Sequence, residues 1–400
     1  MSSNAVTQAA LSAADNPLQP ELPATGTRVV WSRLYGDSLP LALARAADIH
    51  NGLLLIVTAD SQDAERLQQQ LEFFCADRSL DVLCFSDWET LPYDRFSPHQ
   101  DIISERLQTL SRLPTLRKGV LLVPVATLLQ RLPPRDFLDR YSLVLDRGQR
   151  LDLDAMRARL EKAGYRCVSQ VMEHGEFAVR GSILDLFPMG APGPYRIDLF
   201  DEDIESIRSF DPDTQLSQDQ VDSIRLLPAR EFPVDDDAIT RFRQAWRSCF
   251  EGDPQRALIY RDVSNGLLPN GIEYYLPLFL ERTATLFDYL PASTCLVSTE
   301  DARATIDSFR TALAERYESL RHDIERPILP PERLYLDEDE TREFLGGYAQ
   351  IEVQRAEAPD GSADSVRYGS FAVTSPAGGP TTLTAELPQR LVRRNGDQDV

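Results

Sequence analysis

Several signatures are missing from this chain, and each absence excludes a class. No run approaches the ~18 consecutive apolar residues of a membrane span. Five cysteines (Cys75, Cys84, Cys167, Cys249, Cys295) are odd in number, scattered, and form no Cys-x-x-Cys pair. That argues against a disulfide framework or a zinc site and for a reducing, cytoplasmic setting. The four histidines are scattered too, so no metal is expected. Residues 1–23 have neither a basic n-region nor an apolar h-region, and read as a disordered lead rather than a signal peptide. Cations are in deficit: 42 Lys+Arg stand against 63 Asp+Glu, a net charge of −21. Phosphate backbones repel such a chain, so duplex DNA is a poor partner for it alone. Asp337–Glu340 and Asp235–Asp237 read as solvated loops or helix starts.

What is present is a soluble globular composition. The chain has 400 residues, 42% hydrophobic and 26% charged, enough for two or three domains. Residues 28–131 alternate strands with helices. Leu53–Val57 is a continuous apolar run of the kind covered on both faces. Asp60-Ser61 then caps a helix carrying Ala64, Leu67, Leu71 and Phe74. Val82–Phe85 is a second strand, followed by the aromatic and proline-rich loop Ser86–Pro98 and a helix with Ile102, Ile103, Leu107 and Leu110. Gly119–Pro124 is a third buried strand, with Val125–Leu132 as its crossover helix. This βαβα series predicts a parallel sheet.

The period then changes. A helix over 153–163 closes at Gly164, and from Tyr165 to Leu227 the pattern is mostly period 2, a small antiparallel sheet. Helical spacing returns with Ile239, Phe242, Trp246 and Phe250. Strands are expected near Ala284–Phe287 and Thr294–Val297, then a helix from an Asp301 N-cap through Tyr317. The second α/β stretch is too short to stand alone, so it completes the first sheet and the antiparallel module is an insertion. The expected division is a disordered lead (1–25), an α/β domain (26–140), an inserted module (141–228), the rest of the α/β domain (229–345), and an incomplete further domain or disordered tail (346–400).

Catalytic motifs are also missing. A phosphate loop requires Gly-x-x-x-x-Gly-Lys-Ser/Thr. In Leu34–Leu43 only Gly36 remains, and it reads as a turn residue. Asp146, after Leu143-Val-Leu145, reads as a strand-end cap and not as a magnesium ligand. There is no Gly-x-Ser-x-Gly and no Cys/His pair. His174, in Met172-Glu-His-Gly-Glu176, has half of a zincin motif, but the second His is absent and Gly175 disfavours the helix. It reads as a turn-exposed histidine.

The most informative stretch is Met172–Gly190 with the strand Tyr195–Phe200 that follows. Side chains alternate along a strand, so Tyr195, Ile197 and Leu199 share one face and Arg196, Asp198 and Phe200 the other. A large aromatic among charges on a polar face, with Arg180 in the preceding β segment where a structural strand would prefer an apolar or short polar residue, has the composition of a protein-docking surface.

Asp87-Trp-Glu-Thr-Leu-Pro-Tyr-Asp94, Phe96–Ile103, Val171–Glu176, Arg180-Gly181, Leu184–Gly190 and Gly271-Ile-Glu-Tyr-Tyr275 closely resemble the N-terminal region of the bacterial transcription-repair coupling factor (Mfd) family, over roughly residues 28–345. The resemblance implies a degenerate helicase-like (RecA-like, P-loop-less) α/β domain similar to the repair protein UvrB, with an inserted antiparallel α+β module that contacts UvrA. It places the UvrA-binding residues on Arg180, Arg196 and Phe200, with Arg166 a further addition. Family members are about three times longer. Their RNA-polymerase-binding and double-stranded-DNA-translocating parts lie beyond these residues, and their UvrA site is masked until stalled polymerase is engaged. No cofactor and no membrane partner is implied here. The alternatives left open are an ATP-dependent helicase or translocase and a non-specific DNA-binding domain. For the Trp88–Pro98 loop, a packed cover in which Trp88, Tyr93 and Phe96 are buried competes with a strand-stacking surface.

Overall fold

The structure, a computed structural model, describes residues 18–76 and 80–354 and the strand segments Ser365–Arg367, Val373–Thr374 and Pro380–Thr381. The first part of the chain supplies β1 (Arg28–Ser32), β2 (Leu53–Thr58), β3 (Asp81–Cys84) and β4 (Gly119–Pro124). The middle supplies β5 (Leu143–Asp146), β6 (Arg166–Cys167), β7 (Glu176–Arg180), β8 (Ile183–Leu186), β9 (Tyr195–Phe200), β10 (Asp203–Phe210), β11 (Ser217–Val221) and β12 (Ser223–Leu226). Then come β13 (Cys295–Thr299), β14 (Ala349–Gln354) and β15 (Ser365–Arg367). One sheet, all parallel, runs β15-β1-β14-β13-β2-β4-β3. Every residue of β2 and β4 is buried, because apolar side chains leave both strand faces and helices cover both. On one face Leu43, Leu67 and Leu71, from helices Ser38–Ile49 and Ser61–Cys75, pack on Leu54, Ile56, Val120 and Leu122. The other face buries Leu53, Leu55, Leu121 and Val123 with Ile103, Leu107 and Leu110 of helix Gln100–Arg112 and Leu313 of helix Glu300–Leu320.

The chain leaves this body through β5 and returns through β12, which pair antiparallel with each other. Between them lies a six-stranded sheet, β11-β10-β9-β8-β7-β6. Its inner face (Phe177, Leu184, Leu186, Ile197, Leu199, Ile207) closes on Met156 and Leu160 of helix Leu153–Lys162. The fold is therefore α/β, a parallel sheet with an inserted antiparallel module.

Helix Gln100–Arg112 seats the module. Asp101, Ser104 and Gln108 lie on one helical face by their spacing. The Asp101 carboxylate meets His174 Nδ1 at 2.6 Å, Ser104 Oγ accepts from Gly190 N at 2.8 Å, and Gln108 Nε2 donates to Gly190 O at 2.7 Å. Gly190 has φ +79°, and a Cβ there would press on Leu227 at 2.8 Å, so glycine is required.

The same helix turns Arg106 inward, where it is fully buried. Its Nε donates to Glu231 Oε1 at 2.6 Å, Nη1 to Ser86 O at 2.6 Å and Nη2 to Gln130 Oε1 at 2.8 Å. Trp88 Nε1 donates to the other Glu231 oxygen at 3.0 Å. The aromatic strings converge beside it. The Tyr274 hydroxyl bonds Leu91 O and Thr90 Oγ1, both at 2.7 Å. Glu273 accepts from Ser97 Oγ at 2.7 Å and Arg230 Nη1 at 3.2 Å. Burial raises the pKa of Glu273 although Arg230 opposes it.

Several sequence expectations are corrected. No strand forms at 284–287: Thr285 and Asp288 make a reciprocal capping box around a short 3₁₀ turn, and only Ala284 bridges to Leu132. The crossover helix after β4 ends at Leu128, because Gln130 and Leu132 bridge to Tyr335 and Ala284 instead. The long C-terminal helix is capped by Thr299, not Asp301. The α/β body does not stop at 345, since β14 lies inside its sheet between β1 and β13. Of the expected disordered lead, 1–17 lie outside the described residues, whereas Leu22 packs on the core and Trp31 Nε1 donates to Glu21 O at 3.2 Å. Apart from the short strand segments, 355–400 also lie outside them. His174 is not turn-exposed: its ring lies 3.9 Å from that of Phe187, with Nε2 2.9 Å from Ala191 O. In the Trp88 loop, Trp88 and Tyr93 are buried but Phe96 is exposed. Among the described residues, no helix is long and apolar enough to cross a membrane.

Removing one half of a buried ion pair leaves an uncompensated charge. Glu231→Ala is therefore expected to destabilise the fold by about 3–5 kcal/mol. Chemical denaturation checks this, and an unchanged midpoint would refute it.

Candidate protein-docking site

Two tight hairpins build the site. β7 turns into β8 through Gly181-Ser182, with Arg180 opposite Ile183 and Gly181 at φ +62°. A two-residue turn of this kind requires a residue with positive φ, which glycine supplies without strain. β9 turns into β10 through Asp201-Glu202, with Phe200 opposite Asp203 and Asp201 at φ +55°. β7 and β9 run in the same direction with β8 between them. Arg180 is level with Asp198, so Arg180 and Phe200 stand at the same end of the sheet, two strand spacings and two residues apart, about 12 Å. Phe200 is 70% exposed. Burying such a ring elsewhere would contribute about 1.5–3 kcal/mol.

The arginines are held from below by Asp185, a carboxylate only 1% exposed. Arg180 Nη2 donates to its Oδ2 at 2.8 Å. Arg196 approaches with two donors, Nε to Oδ1 at 2.7 Å and Nη2 to Oδ2 at 3.0 Å. Arg196 Nη1 also reaches Gln215 O at 3.2 Å and Ser217 Oγ at 3.3 Å, and its guanidinium lies 4.9 Å from the Phe210 ring. The hydrogen bonds to Asp185 hold its proton more tightly than usual. The two side chains differ in what they can offer: Arg180 is 52% exposed and Arg196 19%. Arg196 has one N–H left over and acts chiefly as a brace.

Arg166 stands apart on the edge strand β6. Its Nη2 donates to Glu176 Oε1 at 2.5 Å, and Glu176 also accepts from Met172 N at 2.8 Å and Glu173 N at 3.0 Å. Burial pushes the Glu176 pKa up, but these bonds outweigh it and hold the carboxyl below its ordinary value.

Thus Arg180 and Arg196 come together on one acid, Phe200 joins the Arg180 end, and Arg166 lies beyond Glu176. Asp185 escaped the sequence argument, although an acid in the middle of Ile183-Leu-Asp-Leu186 is a visible anomaly in a buried strand. Among the described residues, no group of three or more His, Cys, Asp or Glu is placed to hold a metal ion. The arrangement offers recognition, with a fixed cation and an exposed phenyl ring on rigid strands.

Residues 143–232 match the family described as the UvrB interaction domain, so the inserted module defines a repair-type interaction domain carried on an α/β body. The whole chain has relatives beyond that module. It is 46% identical to the transcription-repair-coupling factor of Escherichia coli over 341 residues, 85% of this chain and 29% of that protein. The corresponding protein of Haemophilus influenzae is also 46% identical, over 83% of this chain and 29% of its own length. The Bacillus subtilis protein of that name is 27% identical over 68% of this chain. The chain belongs to the transcription-repair coupling factor family as its UvrB-like N-terminal region. It spans under a third of the length of the curated relatives it matches.

The unequal roles of the arginines predict unequal stability effects. Arg196→Ala leaves buried Asp185 with Arg180 alone and is expected to cost about 3 kcal/mol. Arg180→Ala leaves the two-pronged Arg196 contact intact and is expected to cost under about 1 kcal/mol. Thermal melting of the two variants checks this, and equal shifts would contradict the brace.

Proposed function

We propose that this chain is the recruitment module of a transcription-repair coupling factor. It binds UvrA and so brings nucleotide excision repair to RNA polymerase stalled at a lesion. The observation that carries this reading is a UvrB interaction domain whose outer sheet face presents Phe200 to water beside a pre-positioned Arg180. Aromatic and arginine anchors on rigid elements carry most of the energy in protein interfaces, because little side-chain freedom is lost on binding. Arg196 supports Arg180 from the next strand but one, and Arg166 extends the basic edge. RNA polymerase and double-stranded DNA belong, in this proposal, to the longer family members and not to these residues.

The competing class is an ATP-driven translocase in its own right, and the charges in the expected nucleotide position argue against it. Beyond the carboxyl ends of β1, β2, β13 and β14 lies a cavity of about 400 Å³ lined by Gly36, Asp37, Thr58, Asp63, Glu300 and Asp301. Arg66 is there too, already paired with Asp63 at 2.6 Å. Burial raises the pKa of Asp37, opposed by a hydrogen bond from Gln70. A triphosphate would meet carboxylates where a phosphate loop offers backbone N–H groups and a lysine. We therefore propose a non-enzymatic role for this region.

Two measurements test the proposal. Arg180→Ala and Phe200→Ala are each expected to weaken UvrA binding by about 1–3 kcal/mol in calorimetry. Unchanged affinity for both would remove the site. Titration of magnesium-ATP into the full chain is expected to show no saturable binding, and micromolar affinity would restore the translocase reading.

A further inference from the structure

The outer face of the module continues past β9. In the antiparallel register Ile207 stands opposite Ile197 and Arg208 opposite Arg196. Both isoleucines are fully buried in the inner core, so one residue further on Arg208 and Arg196 both face outward. Phe210, two residues beyond, lies on that same outer face under the Arg196 guanidinium.

Arg208 differs from the other arginines of this face. Glu176 takes Arg166, and Asp185 takes Arg180 and Arg196. Arg208 is exposed, with no side-chain hydrogen bond or ion pair shown for it among the described residues. Its cross-strand neighbours are Arg196 on one side and Gln220 on the other. Like charges directly opposite in a sheet are unfavourable, so the fold gains nothing from a guanidinium here. The central rows of the face carry Arg180, Arg196 and Arg208 against Asp185 and Asp198, and the Ser206 hydroxyl already donates to Asp198 at 3.0 Å. Those two rows hold one positive charge more than negative, Asp203 standing opposite Phe200 in the row beyond, in a chain of net charge −21.

We propose that the docking footprint extends across β10 to Arg208, and that the partner meets it with a carboxylate-bearing segment. This rests on the recruitment reading and deepens it. The footprint would run from Arg180 on β7 to Arg208 on β10, about 14 Å across three strand spacings. A solvated cation with no internal partner acts mainly on the encounter, through association rate and salt dependence.

The test measures association and dissociation rates of purified UvrA with the full chain and its Arg208→Glu, Arg208→Ala and Arg180→Ala variants, at low and at physiological salt. Arg208→Glu is expected to slow association about tenfold at low salt, with the gap closing as salt rises. Arg208→Ala is expected to have a smaller effect of the same sign. The melting temperature should not fall, because no internal bond is lost. An association rate for Arg208→Glu within about twofold of the unaltered chain would overturn the extension. If Arg180→Ala is impaired in that case, only the extension falls. If Arg180→Ala also binds normally, the recruitment site falls with it.

Discussion

The arrangement depends on one buried ion pair, Arg106 with Glu231. Moving either ion out of water costs several kcal/mol, so such a pair persists only where nearly every donor and acceptor is satisfied. Here they are, and the bonds reach three separate stretches of chain. Ser86 and Trp88 come from the loop after β3, Gln130 from the segment after β4, and Glu231 from the return leg of the inserted module. The guanidinium also lies over Phe85 and Trp88, with centroids at 4.4 and 5.5 Å. An apolar substitute of equal volume would fill the space without choosing among these partners. The pair therefore contributes register: it fixes where the module rejoins the body.

That fixed seat determines what the outer face can do. Helix Gln100–Arg112 holds the module on one side through Asp101, Ser104 and Gln108, which grip its loops at His174 and Gly190, and on the other through Arg106, which holds its return leg at Glu231. Within the sheet, Asp185 and Arg196 repeat the device on a smaller scale, a buried acid gripping an arginine that is itself half spent on loop carbonyl and hydroxyl groups. Arg180 is thus oriented before any partner arrives. Pre-ordering of this kind removes the side-chain entropy that binding would otherwise cost.

Much of this was legible in the sequence because it follows from periodicity. Continuous apolar runs located the parallel strands, and alternation at 195–200 assigned Arg196 and Phe200 to the polar face. The ends of elements were less legible. Thr285 reads as a strand residue until its hydroxyl and Asp288 are seen to cap a turn, and β14 was hidden because an acidic helix separates it from the sheet it completes. The division of labour between Arg180 and Arg196 was not legible at all. Both residues lie on the correct face, and only the position of Asp185 beneath them separates an exposed anchor from an internal brace. The same holds for His174, whose surroundings are set by a helix 73 residues away in sequence.

The net charge and the basic face have opposite signs, but they act at different distances. At physiological ionic strength, fields between exposed charges fade over about 8–10 Å. A nucleic acid approaching from afar meets a chain dominated by carboxylates, and so does any acidic protein surface. Only a partner whose shape brings it within a few ångströms of the outer sheet exchanges that general repulsion for contact with oriented guanidinium groups and burial of Phe200. On the proposed reading, the acidic background raises the threshold for every ligand, and close complementarity lowers it for one. A module built this way discriminates by fit at short range, which suits recruitment of a single protein better than travel along DNA.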